Sequence, residues 1–554
     1  MKSNIIYPKI PLAQSVIEIY KAKGIENIVI SPGSRNAPLT IGFTNNPFFN
    51  CYSVVDERCA AFFALGIAQQ IKKPVAVVCT SGSALLNYYP AVAEAFYNQI
   101  PLVVISADRP HDKIDIGDGQ TIRQENVYIN HSLYNANLTE EASEENDLKI
   151  QEALFLALSK KGPVHINVPF EEPLYETVEE LTVQPILVDL FSEEKPKINF
   201  DPFFQVWNES QKKLVLIGGN YPNEIEQKYL NLLGEDNSVV VMTEVTSNTH
   251  HTNFITNIDT IITPFSEEDF IDFQPDILIT IGGMIVSKRI KAFLRKYKPK
   301  EHWHVDELRA YNTFDCLTQH FEISPNTFFE AFLSKITQVE SDYLSKALAI
   351  REYRKNKHQE YLDSTPFSDL KVFETILSRL PENCQLQISN SSPIRYAQLF
   401  PIDQSIEVYC NRGTSGIDGS TTTAIGASVI SNQPTIFITG DISFFYDSNA
   451  LWNNYIPNNF KIILINNGGG GIFRILPGHQ ESETFNKYFE TSHQLTAEHL
   501  CEMFGFDYLT AFNNEQIIAN WDIFNNSTQP ILLEIFTPEK ENDQILLNYF
   551  KKLK

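Results

Sequence analysis

Two short apolar runs, each followed by polar residues, constrain the fold of this chain more than any other feature. Thr435–Thr439 ends at Gly440-Asp441, and Lys461–Ile465 ends at Asn466-Asn467-Gly468. We expect a helix around Ser448–Asn454 between them, because parallel strands need a crossover connection. The pattern predicts a βαβ unit whose polar tips lie at the carboxyl edge of a parallel sheet, where α/β folds bind ligands.

The two polar tips carry residues that suit a metal ion. Asp441 and Asn467 lie 26 residues apart (467 − 441), which leaves room for one helical crossover. A carboxylate and an amide on neighbouring strand tips can bind one hard cation through oxygen, and Mg²⁺ bound in this way keeps positions open for phosphate groups. The alternative is an ordinary Rossmann-like unit in which these side chains only form turns.

Similar apolar runs followed by polar loops recur along the chain. Further strands are predicted at Ile28–Ser31, Tyr52–Val55, Pro74–Cys79, Leu102–Ser106, Val164–Val168, Lys213–Ile217, Val239–Met242, Ile277–Ile281 and Trp303–Val305. Acidic, proline-bearing residues 171–202 and charged residues 336–363 are typical of linkers. We predict three Rossmann-like α/β domains with mainly parallel sheets, at residues 1–175, 190–340 and 365–554.

The composition bounds the possible partners. With 43% hydrophobic residues, 20% charged residues and a net charge of −24, the chain is globular and lacks the basic face that nucleic acids and anionic membranes require. It has no apolar run long enough to predict a membrane span and no signal-peptide core near the N-terminus. The seven cysteines form no CxxC motif, which is typical of free thiols in a reducing cytosol. We therefore expect a cytoplasmic protein.

Glu57 is the most consequential residue outside the βαβ unit. The Gly-Asp pair followed by Asn-Asn resembles the thiamine diphosphate signature, although Gly440-Asp441-Ile442-Ser443 replaces the usual Gly-Asp-Gly. That cofactor needs a glutamate on its aminopyrimidine ring to promote loss of the thiazolium C2 proton. Glu57 is predicted, partly buried, where a strand passes into a helix. The alternative is a glutamate that only stabilises a helix N-terminus.

Seven motifs between residues 31 and 477 resemble those of a single family. They are SPGSRNAPL (31–39), VDERCAAFFALG (55–66), TSGSALLNYYPAVAEAF (80–96), SADRP (106–110), NRGTSGIDGSTTTAIG (411–426), GDISFFYDSNAL (440–451) and NNGGGGIFRILP (466–477). The family is 2-succinyl-5-enolpyruvyl-6-hydroxy-3-cyclohexene-1-carboxylate (SEPHCHC) synthase, a thiamine diphosphate enzyme of menaquinone biosynthesis. The resemblance is sparse in the middle unit, and it implies a thiamine-diphosphate-binding fold.

The resemblance implies a reaction between two anionic substrates. 2-Oxoglutarate would lose CO₂ on the cofactor, and the remaining four-carbon unit would add 1,4 to isochorismate. The matching positions supply cations and polar groups, and arginine suits bidentate carboxylate binding. The alternative for each cation is an ordinary ion pair. The implied substrate residues are Ser34, Arg35, Arg109, Gln120, Lys288, Arg289, Ser391, Arg395 and Arg412.

The resemblance also implies how the cofactor is held. Mg²⁺ or Mn²⁺ would bind Asp441, Asn467 and the carbonyl of Gly469. An apolar wall of Ile472, Phe473 and Leu476 would cover the reacting centre. The implied cofactor contacts are Glu57, Ser415, Gly416, Ile417, Gly440, Asp441, Ile442, Ser443, Asn467 and Ile472.

Two alternatives remain at this point. One is another thiamine diphosphate decarboxylase or carboligase of the acetolactate synthase type, and the other is an inactive homologue that acts in assembly. The family resemblance also implies a homodimer or homotetramer with each cofactor bound between chains.

Overall fold

Three sheets of parallel strands organise the chain. The computed structural model describes residues 6–191, 198–475, 478 and 480–554. The two outer sheets have six strands and the middle sheet has five. Their strands are short and mostly buried, and helices join them in sequence, as expected of parallel sheets that are covered on both faces. The predicted α/β fold with mainly parallel sheets is confirmed.

The first unit builds its sheet from residues 27–169. Its helices are Pro11–Ala22, Ala37–Thr44, Glu57–Ile71, Ser83–Asn87, Tyr89–Asn98 and Glu144–Ser159. In spatial order its strands are Asn50–Ser53, Asn27–Ile30, Val75–Cys79, Leu102–Asp108, Val164–Pro169 and Asn135–Asn137. A separate antiparallel pair joins Tyr7–Pro8 to Thr177–Val178.

The middle unit holds the five-stranded sheet. Its strands in spatial order are Val239–Thr243, Lys213–Ile217, Ile277–Ile281, Glu301–Val305 and Gln319–Phe321. Its helices are Asp201–Glu209, Gln227–Glu235, Ile258–Ile262, Glu267–Phe273, Lys288–Lys296 and Pro325–Leu333. The helix Tyr343–Asp363 then leads to the third unit, and buries Tyr343 in the middle core and Leu362 in the third core.

The third unit repeats the topology of the first. Its strands in spatial order are Glu407–Tyr409, Gln385–Ile388, Thr435–Gly440, Phe460–Asn466, Ile531–Phe536 and Asp507–Ala511. Numbered along the chain, both six-stranded sheets follow the order 2-1-3-4-6-5. Its helices are Asp369–Leu377, Ser392–Ala397, Ser420–Ile430, Asp441–Tyr446, Glu483–Phe485, Glu498–Phe504, Asn514–Asn526 and Asn542–Lys552. The predicted domain limits fall outside all three sheets and remain predictions.

Two helices join the first and third units backbone to backbone. In the helix Glu57–Ile71, a Cβ at Gly66 would lie 2.2 Å from the carbonyl oxygen of Thr423. In the facing helix Ser420–Ile430, a Cβ at Gly426 would lie 2.1 Å from the carbonyl oxygen of Phe63. Only glycine allows this approach on both sides, so the first and third cores merge into one apolar cluster.

The crossover in the central βαβ unit differs from the prediction. Its two strands pair in parallel as predicted, but the α-helix runs over Asp441–Tyr446 and only a 3₁₀ turn, Ser448–Leu451, falls in the predicted segment. The helix begins directly after the strand, with Gly440 as its N-cap residue, and the Asp441 carboxylate accepts the N–H of Ile442 in the first turn. Within the described residues, no helix combines the length and apolarity that crossing a membrane requires.

Candidate active site

A cavity of about 330 Å³ opens at the carboxyl edge of the third sheet. It lies where the strand order reverses, between Gln385–Ile388 and Thr435–Gly440, which is where open α/β sheets bind ligands. The structure therefore brings ten of the predicted site residues together. They are Ser391, Ile417, Gly440, Asp441, Ile442, Ser443, Asn467, Gly469, Ile472 and Phe473.

The Asp441 carboxylate is held rigidly in this cavity. Its side chain is buried, and its two oxygens accept the backbone N–H groups of Ile442 at 2.7 Å and Gly469 at 3.0 Å. Gly469 has φ of +154°, and a Cβ there would lie 2.8 Å from the carbonyl oxygen of Glu490. Glycine at this position is thus required by the close approach of the following segment.

The side-chain amide of Asn467 is oriented by a buried carboxylate. Its Nδ2 donates to Asp369 Oδ2 at 3.0 Å, and Asp369 Oδ1 accepts from Thr537 Oγ1 at 2.6 Å. Because the nitrogen is engaged, the oxygen of Asn467 is the atom left to accept a ligand. Burial raises the pKa of Asp369 to about 6, and the nearby Asp441 carboxylate acts in the same direction.

His493 provides a test of whether a cation fits here. Its Nδ1 accepts the N–H of Leu495 at 3.1 Å, so the ring proton resides on Nε2. That nitrogen is buried 3.4 Å from Asp441 Oδ2, and it makes no hydrogen bond within the described part of the chain. A buried N–H donor left without a partner beside a carboxylate is suited to a ligand with acceptor oxygens, such as a phosphate that accompanies a metal ion. Among the described residues, no three His, Cys, Asp or Glu side chains form a group that could hold a metal ion. The oxygen donors of the cavity, a carboxylate, an amide and a backbone carbonyl, are of the kind that Mg²⁺ or Mn²⁺ takes together with phosphate.

The segment of residues 411–419, which we call the Arg412 segment, closes one side of the cavity. Asn390 Nδ2 donates to the carbonyls of Asn411 and Gly416 at 2.6 and 2.8 Å. Ser443 Oγ donates to the carbonyl of Ile417 at 2.6 Å. Ser415 has φ of +60°, a left-handed conformation that serine adopts only when its surroundings impose it.

Arg412 and Arg395 form a pair of cations beside the cavity. Arg412 Nη1 donates to Asn390 Oδ1 at 2.7 Å. The Nε atoms of both arginines are buried without a hydrogen-bond partner among the residues described. Burial, and then the nearby Arg412 guanidinium, lowers the pKa of Arg395. Two half-buried guanidinium groups close together are suited to a dicarboxylate.

Glu57 lies on the first unit and does not line the third-unit cavity. It begins the helix Glu57–Ile71, as predicted, and the Asp56 side chain caps that helix through Cys59 N–H. Glu57 is half-buried, and its Oε2 accepts from Asn87 Nδ2 at 3.2 Å. Its neighbour Arg58 lies 3.8 Å from Asp447, at the end of the helix that Asp441 begins.

The other predicted residues of the first unit fall into two groups: two arginines bonded within their own chain and two exposed polar residues. Arg35 is buried, and its guanidinium donates to the carbonyl of Phe170 at 3.0 Å and to Glu172 at 3.2 Å. Arg109 Nε donates to the carbonyl of Gly119 at 2.8 Å, which ties it to the loop that carries Gln120. Ser34 and Gln120 are exposed.

The two predicted cations of the middle unit lie at a helix start. Lys288 and Arg289 are exposed in the first turn of Lys288–Lys296, which the Ser287 side chain caps through Ile290 N–H. The Arg289 guanidinium lies over the ring of Phe550, 5.7 Å from its centroid. Neither residue lines the cavity.

The sequence interpretation missed several residues of the site. Ile472 and Phe473 line the cavity as expected, whereas Leu476 lies outside the described residues. The facing wall comes from residues 488–491, and Phe489 contacts the Phe473 ring at a centroid distance of 6.3 Å. Asn390, Asp369 and His493 were also missed. Asn390 alone left a signal, since it follows a strand in the same way as Asp441.

Three family models match the chain in succession. The thiamine pyrophosphate enzyme N-terminal TPP binding domain matches residues 10–131, the middle domain of thiamine pyrophosphate enzymes matches residues 193–388, and the C-terminal TPP binding domain matches residues 391–535. The cavity with Asp441 and Asn467 falls in the third of these matches. Fold, site and matches together define a thiamine diphosphate enzyme.

Similar proteins narrow the class further. Proteins named 2-succinyl-5-enolpyruvyl-6-hydroxy-3-cyclohexene-1-carboxylate synthase are 69% identical in Flavobacterium psychrophilum, 55% in Christiangramia forsetii and 38% in Bacteroides thetaiotaomicron. The alignments cover 99%, 99% and 97% of this chain and 100%, 100% and 98% of those proteins. The chain belongs to the SEPHCHC synthase family.

Proposed function

We propose that the chain decarboxylates 2-oxoglutarate with thiamine diphosphate and adds the resulting four-carbon unit 1,4 to isochorismate. The products are SEPHCHC and CO₂, in menaquinone biosynthesis. The observation that carries the proposal is the 69% identity, over 99% of the chain, to a SEPHCHC synthase. An acetolactate-type reaction is not favoured, because its smaller substrates would not need both Arg395 and Arg412.

The chain's own residues provide a place for the cofactor and its metal. When bound, thiamine diphosphate would supply a carbon nucleophile, formed by loss of its C2 proton, for addition to 2-oxo acids, and an acceptor for the electron pair left behind when CO₂ departs. Asp441, the oxygen of Asn467 and the carbonyl of Gly469 would hold Mg²⁺ or Mn²⁺ against the diphosphate. Further contacts would come from Ser415, Gly416, Ile417, Gly440, Ile442 and Ser443, and Ile472 and Phe473 would exclude water.

Substrate carboxylates would meet cations from all three units. In the third unit, Ser391 lines the cofactor cavity and Arg412 donates to Asn390, which also lines it. In the first unit, Arg109 is tied to the loop that carries Gln120. Arg35 donates to a backbone carbonyl of its own chain, which supports a role in orienting its loop. Lys288 and Arg289 are exposed, which supports contact with a substrate that enters from the side of the middle unit.

Glu57 would hold a proton for the aminopyrimidine end of the cofactor. Because it does not line the cavity of Asp441 in its own chain, we propose that each cofactor lies between two chains of a homodimer or homotetramer. Complementation tests this arrangement. Inactive Glu57→Gln and Asp441→Ala proteins should regain activity when mixed under subunit exchange, because a mixed dimer has one intact site. No recovery from proven heterodimers refutes it.

One experiment tests the reaction itself. Purified protein is incubated with thiamine diphosphate, Mg²⁺, 2-oxoglutarate and isochorismate, and the product mass is determined. We expect SEPHCHC and one CO₂ per isochorismate consumed. Omitting isochorismate should stop product formation. A product from pyruvate alone would instead support the acetolactate-type reaction.

We place this reaction in the cytoplasm. All seven cysteines are free thiols, which supports a reducing compartment. Fractionation of the native cell, with immunodetection of the chain, tests this placement.

A further inference from the structure

Glu94 is a buried carboxylate for which the proposed reaction has no use. It lies on the helix Tyr89–Asn98 of the first unit, and 1% of its surface is exposed. Burying a charged group is costly unless it is paired and hydrogen-bonded. The groups around Glu94 therefore indicate what it does.

The hydrogen-bond donors to Glu94 come from the Arg412 segment of the third unit. Oε1 accepts the N–H of Gly413 at 2.7 Å. Oε2 accepts both the N–H and the hydroxyl of Thr414, at 2.6 and 2.8 Å. Two successive backbone N–H groups thus donate to one carboxylate, and Gly413 lies 319 positions after Glu94 in the sequence.

The backbone of the same helix touches the segment directly. A Cβ at Gly413 would lie 2.5 Å from the carbonyl oxygen of Glu94 and 3.0 Å from the nitrogen of Asn98. The Arg412 segment therefore contacts the helix at Gly413, and the Glu94 carboxylate accepts its hydrogen bonds at the same point.

Gly413 and Thr414, which donate to Glu94, lie between two predicted functional residues in the sequence. Arg412 precedes Gly413, and Ile417, which lines the cofactor cavity, follows Thr414 by three positions. On its opposite side the segment is held by Asn390 and Ser443. Glu94 attaches the segment to the first unit through three hydrogen bonds.

We propose that Glu94 is a positioning residue of the active site: its carboxylate fixes the Arg412 segment so that Arg412 faces substrate and Ile417 faces the cofactor. We call the hydrogen bonds from Gly413 and Thr414 to Glu94 the clamp. The identity of the ligands that Arg412 and Ile417 face rests on the proposed function, whereas the clamp does not.

The clamp requires a carboxylate rather than an amide. Burial raises the pKa of Glu94, and the Thr414 and Gly413 donors and the nearby Arg412 charge lower it again. Glutamine has nearly the same shape but only one acceptor oxygen. Whichever way its amide turns, its NH₂ group faces either the N–H of Gly413 or the N–H of Thr414, and that donor loses its acceptor inside the contact.

The experiment compares the wild type with Glu94→Gln and Glu94→Asp, using Glu330→Gln as a control on the exposed face of the helix Pro325–Leu333. Hydrogen–deuterium exchange is followed by mass spectrometry in the full protein with thiamine diphosphate and Mg²⁺. In Glu94→Gln we expect exchange of peptides covering residues 411–419 to rise roughly 10-fold or more. Peptides from the strand Thr435–Gly440 and the Glu330→Gln control should match the wild type.

Kinetics provide the second measurement. Glu94→Gln should lower kcat/KM roughly 10- to 100-fold, mainly through a higher KM for one anionic substrate, and Glu94→Asp should recover part of the loss. Gly413→Ala, which leaves the carboxylate intact but lifts the segment from the helix, should reproduce both effects and serves if Glu94→Gln does not fold.

The outcomes separate the proposals. Wild-type exchange at residues 411–419 with wild-type KM values in Glu94→Gln overturns the clamp, as does a uniform rise of exchange over the whole chain. A wild-type protein that forms no SEPHCHC overturns the proposed function and leaves the exchange result to decide the clamp by itself.

Discussion

Replacing Asp369 with asparagine should weaken the binding of the metal ion, although no proposed metal ligand is itself replaced. In the folded chain Asp369 accepts from Asn467 Nδ2 and Thr537 Oγ1, and so leaves the Asn467 oxygen facing the cavity. Asparagine at this position can donate as well as accept, so it also stabilises the turned amide in which the Asn467 nitrogen faces the metal.

The structure sets the size of this effect. A hydrogen bond to a charged group contributes about 1.5–3 kcal/mol and a neutral one about 0.5–1.5 kcal/mol. The Asp369→Asn change therefore removes about 1–2 kcal/mol of preference for the productive amide. That corresponds to a roughly 5- to 30-fold higher Mg²⁺ dissociation constant, which overlaps the roughly 10- to 100-fold losses typical of residues that orient metal ligands.

Calorimetric titration can measure it directly. Thiamine diphosphate binding is followed at a series of Mg²⁺ concentrations at pH 8, where Asp369, with its pKa of about 6, is ionised. We expect the Mg²⁺ midpoint to shift while the affinity at saturating Mg²⁺ changes little. The exposed Glu382→Gln variant is the matched control. An unchanged Mg²⁺ midpoint in Asp369→Asn would refute the orienting role.

Three further outcomes are expected. Glu57→Gln should fold normally but slow C2 proton exchange of bound thiamine diphosphate by orders of magnitude, as NMR can show; wild-type exchange would rule Glu57 out as the activating group. Gly66→Ala should destabilise the chain by about 1–3 kcal/mol despite alanine's helix propensity, because its Cβ meets the Thr423 carbonyl at 2.2 Å; its melting temperature should fall, whereas that of Gly219→Ala, which has open space, should not. His165 is fully buried with its pKa lowered to about 3, so below pH 6.5 the unfolded chain binds a proton that the folded chain does not. Stability is then lost as pH falls from about 6.5 towards 3, by up to about 1.4 kcal/mol per pH unit, and His165→Asn should flatten the pH dependence of thermal unfolding between pH 6 and 4; an unchanged slope would contradict this.

The sequence predicts those parts of the site that follow buried strands. Asp441 and Asn467 were found because an apolar run and a polar tip are local patterns, and parallel strands bring such tips together. The predicted crossover helix was misplaced because the helix begins at Asp441, directly after the strand, and the hydrophobic pattern does not mark that start.

The residues that orient the site left no comparable pattern. Glu94 meets its partners 319 and 320 positions away, and Asp369 meets Asn467 across 98 positions. Glu94 depends on how the first and third units pack together, and Asp369 on how distant elements of the third unit pack, neither of which a single sequence encodes locally. Arg35 shows the converse: its motif is visible, but only the fold reveals that its guanidinium is engaged by Phe170 and Glu172.

The glycine contact between the first and third units has a consequence for synthesis of the chain. Gly66 and Gly426 are separated by 360 positions (426 − 66), so the helix Glu57–Ile71 leaves the ribosome long before the helix that covers it. At about 5–20 residues per second, that interval lasts roughly 20–70 s. Throughout it, the nascent first unit exposes the apolar face around Phe62 and Phe63, and this surface makes the unfinished chain a substrate for chaperones.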